Sequence, residues 1–297
     1  MRNRINVMDY CMDWGLKDHN VTERDTPGTF TREEVIEFLG SVDVGGIELV
    51  HAYWDDCDPS YMAKLASDAG VPIRTYVFYS DLAVEPKERQ SSVDATRRLI
   101  DRSLAMGAKL CMIVPGFIKE GYRVDEQRKW MIEGLSRCAQ YAGSCGATLL
   151  SENIDYPPVR PFMGRGDQCR DICREVDSPH FRLIYDPGAS VHLMQDPMEM
   201  LDQMAPYISH MHLKNFAPVK NGTQWKRTLA DEAGKLYRGV LLDEGAVDLV
   251  PLLRKLRELD YQGDFVVEYQ GEEEPREAVR ENIAKAKALV AETGFSS

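Results

Sequence analysis

Short apolar runs alternate with longer amphipathic segments along the whole chain. The runs are INVMDYCM (5–12), GIELVHAY (46–53), IRTYVFYS (73–80), KLCMIVPG (109–116), TLLSENID (148–155), FRLIYDPGAS (181–190), ISHMHLKN (208–215) and DFVVEYQG (264–271). They are nearly continuous in apolar character, the pattern of strands buried on both faces. Between them lie segments with helical periodicity: 31–40, 59–70, about 86–107, 125–146, 166–176, 197–206, 248–260 and 275–293. Thr31 reads as a helix start and Gly70 as a helix stop.

Eight strand-then-helix units predict an α/β fold, a single (β/α)8 TIM barrel occupying 1–297. A doubly wound open sheet is the structural alternative. It would carry a glycine-rich phosphate turn after the first strand, and DYCMDWGLKD has none. The stretch 216–247 is the one long excursion without clear periodicity. Long loops in compact domains tend to be functional, and this one follows strand seven, on the face where barrel active sites form. Lys220, Lys226, Arg227, Lys235 and Arg238 cluster in it. They predict either a lid gripping an anionic or polyhydroxyl substrate or a solvated basic loop.

A net charge of −12 argues against nucleic acid and anionic membranes as partners. No apolar run reaches the length of a membrane span, and MRNRINVMDY lacks the apolar core of a signal peptide. The seven cysteines, an odd count without close pairing, predict free thiols in the cytoplasm. Cys169 and Cys173 are four apart on an expected helix, but no second Cys or His pair completes a zinc site.

The chemistry concentrates at strand ends. Glu152, Asp186, His212 and Glu268 each lie at or just past the end of an expected strand, on strands five to eight. Parallel strands of a barrel bring such side chains to one place. Three carboxylates and an imidazole there repel unless a cation joins them. The oxygen-rich set predicts Mn²⁺ first, with Mg²⁺, Co²⁺ or Zn²⁺ as alternatives. Lys214, two residues past His212, shares its side of the strand. It predicts either oxyanion stabilisation or a salt bridge to Asp186 or Glu152. His51, at the end of strand two, is a candidate acid–base or hydroxyl ligand, with Glu48 read as a structural acid holding it or an Arg. His210 is either an orienting group behind the site or a satisfied core residue. Tyr10, Trp14, Tyr53, Trp54 and Phe117 could stack on a sugar ring or pack the rim. Arg160 and Arg165 could reach a carboxylate or phosphate or remain solvated.

The runs SENID, IYDPGAS, HMHLKN, GAVDLVPLLRKL and FVVEY resemble the xylose isomerase-like TIM barrel superfamily, the sugar isomerase/epimerase family. The resemblance covers nearly the whole chain and is most specific from about 148 to 271. It implies that Glu152, Asp186, His212 and Glu268 bind the metal. It also implies that Glu152 and Glu268 move a proton through a metal-stabilised enediolate. Two positions depart from the ketose 3-epimerases of that superfamily. Ala189 stands where a His is expected and Pro218 where an Arg is expected. His192 and either Arg227 or Lys226 are the nearest substitutes. Endonuclease IV-type chemistry needs more His than the six present.

These readings predict a metal-dependent sugar isomerase or epimerase acting on a small carbohydrate or polyol. The alternative is a lyase or dehydratase acting on a keto-sugar, an inosose or an oxidised C-glycoside. A non-catalytic sugar-binding barrel would need an incomplete ligand set. Pairing of copies through helical faces, a homo-oligomer, stays open.

Overall fold

The computed structural model describes residues 4–15, 29–154, 160–220 and 224–295. Its core is a closed barrel of parallel strands, a (β/α)8 fold. The barrel strands are β1 (Ile5–Met8), β2 (Ile47–Val50), β3 (Ile73–Tyr79), β4 (Leu110–Val114), β5 (Thr148–Glu152), β6 (Phe181–Tyr185) and β7 (Ile208–Leu213). After the short strands β8 (Phe216–Pro218), β9 (Leu229–Ala230) and β10 (Leu236–Gly239), the eighth barrel strand is β11 (Asp264–Val267). The order around the barrel is β1-β11-β7-β6-β5-β4-β3-β2, closed by pairing of β1 with β2.

The helices are α1 (Arg32–Ser41), α2 (Pro59–Asp68), α3 (Arg89–Ala105), α4 (Val124–Ser144), α5 (Gly166–Val176), α6 (Ala189–His192), α7 (Pro197–Met204), α8 (Leu249–Glu258) and α9 (Pro275–Glu292). Local chemistry sets their ends. Thr31 opens α1 through a capping box with Glu34. Asp58 caps α2, with Pro59 in the first turn. Gly70, at φ +72°, supplies the left-handed residue that lets the chain turn from α2 toward β3. Among the described residues, no helix is long and apolar enough to cross a membrane.

Successive strand side chains alternate between the barrel lumen and the helical layer. One parity, including Tyr76, Phe78, Leu149, Leu183 and Phe265, joins the large core between strands and helices. The other places Met8, Val77, Met112, Leu150, Ile184 and Val266 in a second buried cluster inside the barrel. Glu152, Asp186 and Glu268 follow Leu150, Ile184 and Val266 by two residues each. The apolar cluster is therefore the floor on which these acids stand.

Two expectations about extent need correction. The strands stop earlier than their apolar runs: Asp9–Gly15 and His51–Tyr53 are 3₁₀ turns, and Asp186 and Glu268 fall just past β6 and β11. The excursion 216–247 also contains structure that periodicity missed. β8, β10 and β9 form a three-stranded antiparallel sheet. Strands of two to four residues are too short to leave an alternating signature.

Candidate metal centre

His212 stands at the centre of the barrel mouth, completely buried, with an acid on each side of its ring. Its Nδ1 lies 2.5 Å from Glu152 Oε1 and 2.9 Å from Glu268 Oε2. Glu152 ends β5, His212 is on β7 and Glu268 follows β11, so three strands supply the group. None of these three atoms has a hydrogen-bond partner, although all are buried. They lie within 4.8 Å of one another. Buried polar atoms are rarely left unsatisfied. Two carboxylate oxygens and an imidazole nitrogen aimed at one point form a donor set that suits a divalent cation. These buried Glu and His groups could hold a metal ion.

The electrostatics follow from the packing. Burial alone would push the His212 imidazole down, but Glu152, Glu268 and Glu48 more than offset this and hold it well above its ordinary value. Burial pushes Glu268 up, and the Lys214 ammonium and His212 overcome it, holding the carboxyl at about 2. Lys214 Nζ donates to Glu268 Oε1 at 2.6 Å and lies 3.7 Å from Asp186 Oδ2. The expected salt bridge of Lys214 therefore joins Asp186, and a second one joins Glu268.

Asp186 is buried but does not belong to the three-atom group. Its Oδ1 accepts from Gly188 N at 2.7 Å, and its backbone N–H donates to Asn153 Oδ1 at 2.8 Å. Lys214 links it to Glu268. A Cβ at Gly188 would come within 3.0 Å of Asp186 Oδ1 and 3.3 Å of Lys214 Cγ, so only glycine leaves these two side chains undisturbed.

On the opposite side of His212 lies a second layer. Glu48, with no solvent exposure, accepts from His210 Nε2 at 2.6 Å and from His212 Nε2 at 3.2 Å. Burial raises its carboxyl and the two imidazoles more than reverse this, holding it well below the usual range. The expectation that Glu48 holds His51 or an Arg is thereby replaced. Its signal was a lone acid in the apolar run GIELV, of the same kind as Glu268 in DFVVEY.

His51 sits elsewhere. Arg102 Nε donates to the Tyr76 hydroxyl at 2.9 Å, leaving the phenolic proton for His51 Nδ1 at 2.6 Å. Tyr76 belongs to the layer behind the barrel wall. His192 packs edge-on against Phe216, with centroids 4.4 Å apart, and burial pushes its imidazole down to about 4. Asp9 was not anticipated. It accepts from Val50 N at 3.0 Å and Trp54 Nε1 at 2.7 Å, tying β1 to the turn after β2, and burial pushes its carboxyl up to about 8.

The basic residues of the excursion mostly serve the protein itself. Arg227 grips Asp13 with two bonds of 2.8 and 2.6 Å and stacks over Tyr10. Arg238 pairs with Glu273 and stacks over Trp225, and Lys235 lies over Tyr237. Lys226 N and Arg227 N both donate to Glu272. Arg165 pairs with Glu232, and Arg160 is exposed. Of the expected aromatics, Tyr53 and Trp54 are buried and Phe117 stacks on the exposed Tyr79 at 5.9 Å. The side chain of Trp14 lies outside the described residues. All seven cysteines are free.

The model of the xylose isomerase-like TIM barrel matches residues 36–289. The chain belongs to that family. An inosose dehydratase of Geobacillus thermodenitrificans (strain NG80-2) is 26% identical over 300 residues, covering 94% of this chain and 96% of its own length. A D-allulose 3-epimerase from Methylomonas sp. superimposes with a TM-score of 0.72 at 14% identity, covering 97% of this chain and 98% of that one. A family member from Mycobacterium smegmatis, solved in complex with magnesium, gives 0.70 at 18% identity, covering 98% and 97%. The chain's relatives thus include an inosose dehydratase, and proteins of its fold include a D-allulose 3-epimerase.

Proposed function

We propose that this protein is a divalent-metal-dependent enzyme that moves a proton next to the carbonyl of a small keto-sugar or keto-polyol. The observation that carries the reading is the convergence of Glu152 Oε1, His212 Nδ1 and Glu268 Oε2, all buried and none hydrogen-bonded. Glu152, His212 and Glu268 would hold the cation, with Asp186 completing the set. A cation there supplies Lewis-acid polarisation of a carbonyl and its neighbouring hydroxyl. Fold alone does not choose the substrate, so the assignment rests on what each residue can do.

Glu152 is the proton acceptor. Among the described residues its ionic partner is His212, and its Oε1 has no hydrogen-bond partner. It takes the proton from the carbon beside the carbonyl, and the electron pair moves to the carbonyl oxygen as an enediolate. Lys214, an ammonium already beside Glu268 and Asp186, steadies the negative charge on that oxygen. In the epimerase or isomerase outcome, Glu268 would relay a proton taken up from solvent to the other face or the neighbouring carbon.

Dehydration is the second outcome of the same first step. After proton loss a β-hydroxyl leaves as water, taking the proton that Glu152 has just gained. The inosose dehydratase relative, aligned over 94% of this chain, favours it. The engagement of Arg227 and Arg238 with carboxylates leaves those two guanidinium groups committed and suits an unphosphorylated substrate in either outcome. The test is hydrogen exchange in D₂O with Mn²⁺-loaded protein, offered an inosose and a free ketose. Deuterium uptake at the carbon beside the carbonyl, lost in Glu152→Gln and with chelator, is expected; enone absorbance separates dehydration from epimerisation. Exchange that survives both changes refutes the reading.

A further inference from the structure

Glu48 is the most deeply buried acid in the barrel, with no solvent exposure, yet it lies outside the group that converges on His212 Nδ1. It comes from β2, three strands away from β7 around the closed sheet, so its contact with His210 and His212 crosses the lumen. Six apolar side chains from six other strand positions fill that lumen. An apolar residue at position 48 would extend this floor. Buried ionic groups seldom outperform well-packed apolar replacements for stability. The placement calls for another explanation.

The hydrogen bonding supplies one. A carboxylate only accepts, so both imidazole Nε2 atoms that meet Glu48 must donate to it. A neutral His212 that donates from Nε2 carries its lone pair on Nδ1. That is the atom facing Glu152 and Glu268. His210 occupies the other oxygen of Glu48 and stops the carboxylate from rotating away. The two rings are 5.9 Å apart and cross at 75°, so one carboxylate reaches both along their Nε2 directions.

We propose that Glu48, braced by His210, is a positioning residue that fixes the tautomer and ring plane of His212 so that Nδ1 is a ready ligand at the centre. The inference rests on the metal-centre reading above. It identifies a residue on β2, in the first half of the barrel, as part of a centre otherwise built from the second half. Glu48, His210 and His212 also present three ligand atoms within 4.8 Å of one another, but in this role Glu48 touches neither cation nor substrate, because both imidazole Nε2 atoms donate to it. Its carboxylate raises the basicity of the ring it holds, as outer carboxylates do for ligating histidines.

Glu48→Gln tests this sharply. The glutamine amide can turn its N–H₂ toward His212 Nε2, which moves the ring proton to Nδ1 and points it at the centre. Calorimetric titration of the metal-free proteins with Mn²⁺ should show affinity reduced by about 10- to 100-fold in E48Q. Should E48Q misfold, the unaltered protein still decides the matter. Long-range ¹⁵N–¹H spectra of Zn²⁺-loaded wild type should place the His212 proton on Nε2. A proton on Nδ1 in the Zn²⁺-loaded protein overturns both the proposal and the metal centre, whereas E48Q binding Mn²⁺ within twofold of wild type overturns the proposal and leaves the centre standing. Wild-type protein that takes up no Mn²⁺ overturns both.

Discussion

Lys214→Met should destabilise the metal-free protein strongly and the metal-loaded protein much less. Lys214 Nζ lies 2.6 Å from Glu268 Oε1 and 3.7 Å from Asp186 Oδ2, and the side chains of all three residues are less than a tenth exposed. With an effective dielectric constant of about 20, those separations correspond to roughly 6 and 4.5 kcal/mol of raw attraction. Desolvation of the three groups takes back much of it. Removing one partner from a buried pair nonetheless costs about 3–5 kcal/mol, because the other charge is left without compensation. Methionine matches the length of the lysine stem, so little cavity is added. A divalent cation between Glu268 and Glu152 would supply the missing positive charge. Urea unfolding in chelator should therefore show a loss of about 3–5 kcal/mol. If saturating Mn²⁺ reduces that loss by about 1.4 kcal/mol, the variant binds the cation about tenfold more tightly than wild type. Turnover should fall regardless, since the oxyanion loses its ammonium neighbour. The reasoning is refuted if the variant unfolds in chelator within about 0.5 kcal/mol of wild type, the ordinary range of a surface substitution, or if Mn²⁺ leaves the loss unchanged.

The remaining predictions concern the same site and its cover. His212 is held well above the ordinary imidazole value in the metal-free protein, so coordination must expel a proton. Below that raised value Mn²⁺ affinity should rise about tenfold per pH unit, read as proton release by calorimetry in buffers of different ionisation enthalpy; a pH-independent affinity contradicts it. The same shift stabilises the metal-free fold below about pH 6.5, the unfolded value, and that contribution disappears as pH rises through the folded value. Gly188→Ala keeps an ordinary helical backbone (φ −62°) but brings a methyl within 3.0 Å of Asp186 Oδ1. It should lower Mn²⁺ affinity and turnover with the unfolding midpoint nearly unchanged, and wild-type affinity in this variant would remove Asp186 from the ligand set. Arg227→Ala breaks the bidentate pair with the buried Asp13 and should cost about 3 kcal/mol. It should also expose the segment after β8 to limited proteolysis; unchanged protease resistance would show that the pair is not what holds the excursion down.

Much of this protein was legible in its linear pattern. Eight apolar runs separated by amphipathic segments dictated a closed parallel barrel, because parallel strands need helical crossovers and both faces then become apolar. Strand ends were equally legible for Glu152, His212 and Glu268, since a charged or imidazole group closing a buried run demands a partner. Period-two alternation also put Lys214 on the same side of its strand as His212.

Tertiary structure decided everything that depends on what lies across the lumen or over the mouth. Asp186 is bound to Gly188 and Lys214 instead of the three-atom group, because its rotamer answers to the backbone of the turn after β6. His51 hydrogen-bonds Tyr76, because β2 ends at Val50 and His51 opens a 3₁₀ turn that carries its ring to the Tyr76 hydroxyl. The basic residues of the excursion find Asp13 and Glu273, acids about 214 and 35 positions away in the chain. Glu48 meets His210 and His212 at separations of 162 and 164 residues. A sequence records which side chains need partners. Closing the barrel determines which partners they meet, because that choice depends on strand stagger and on distances through space that no local pattern encodes.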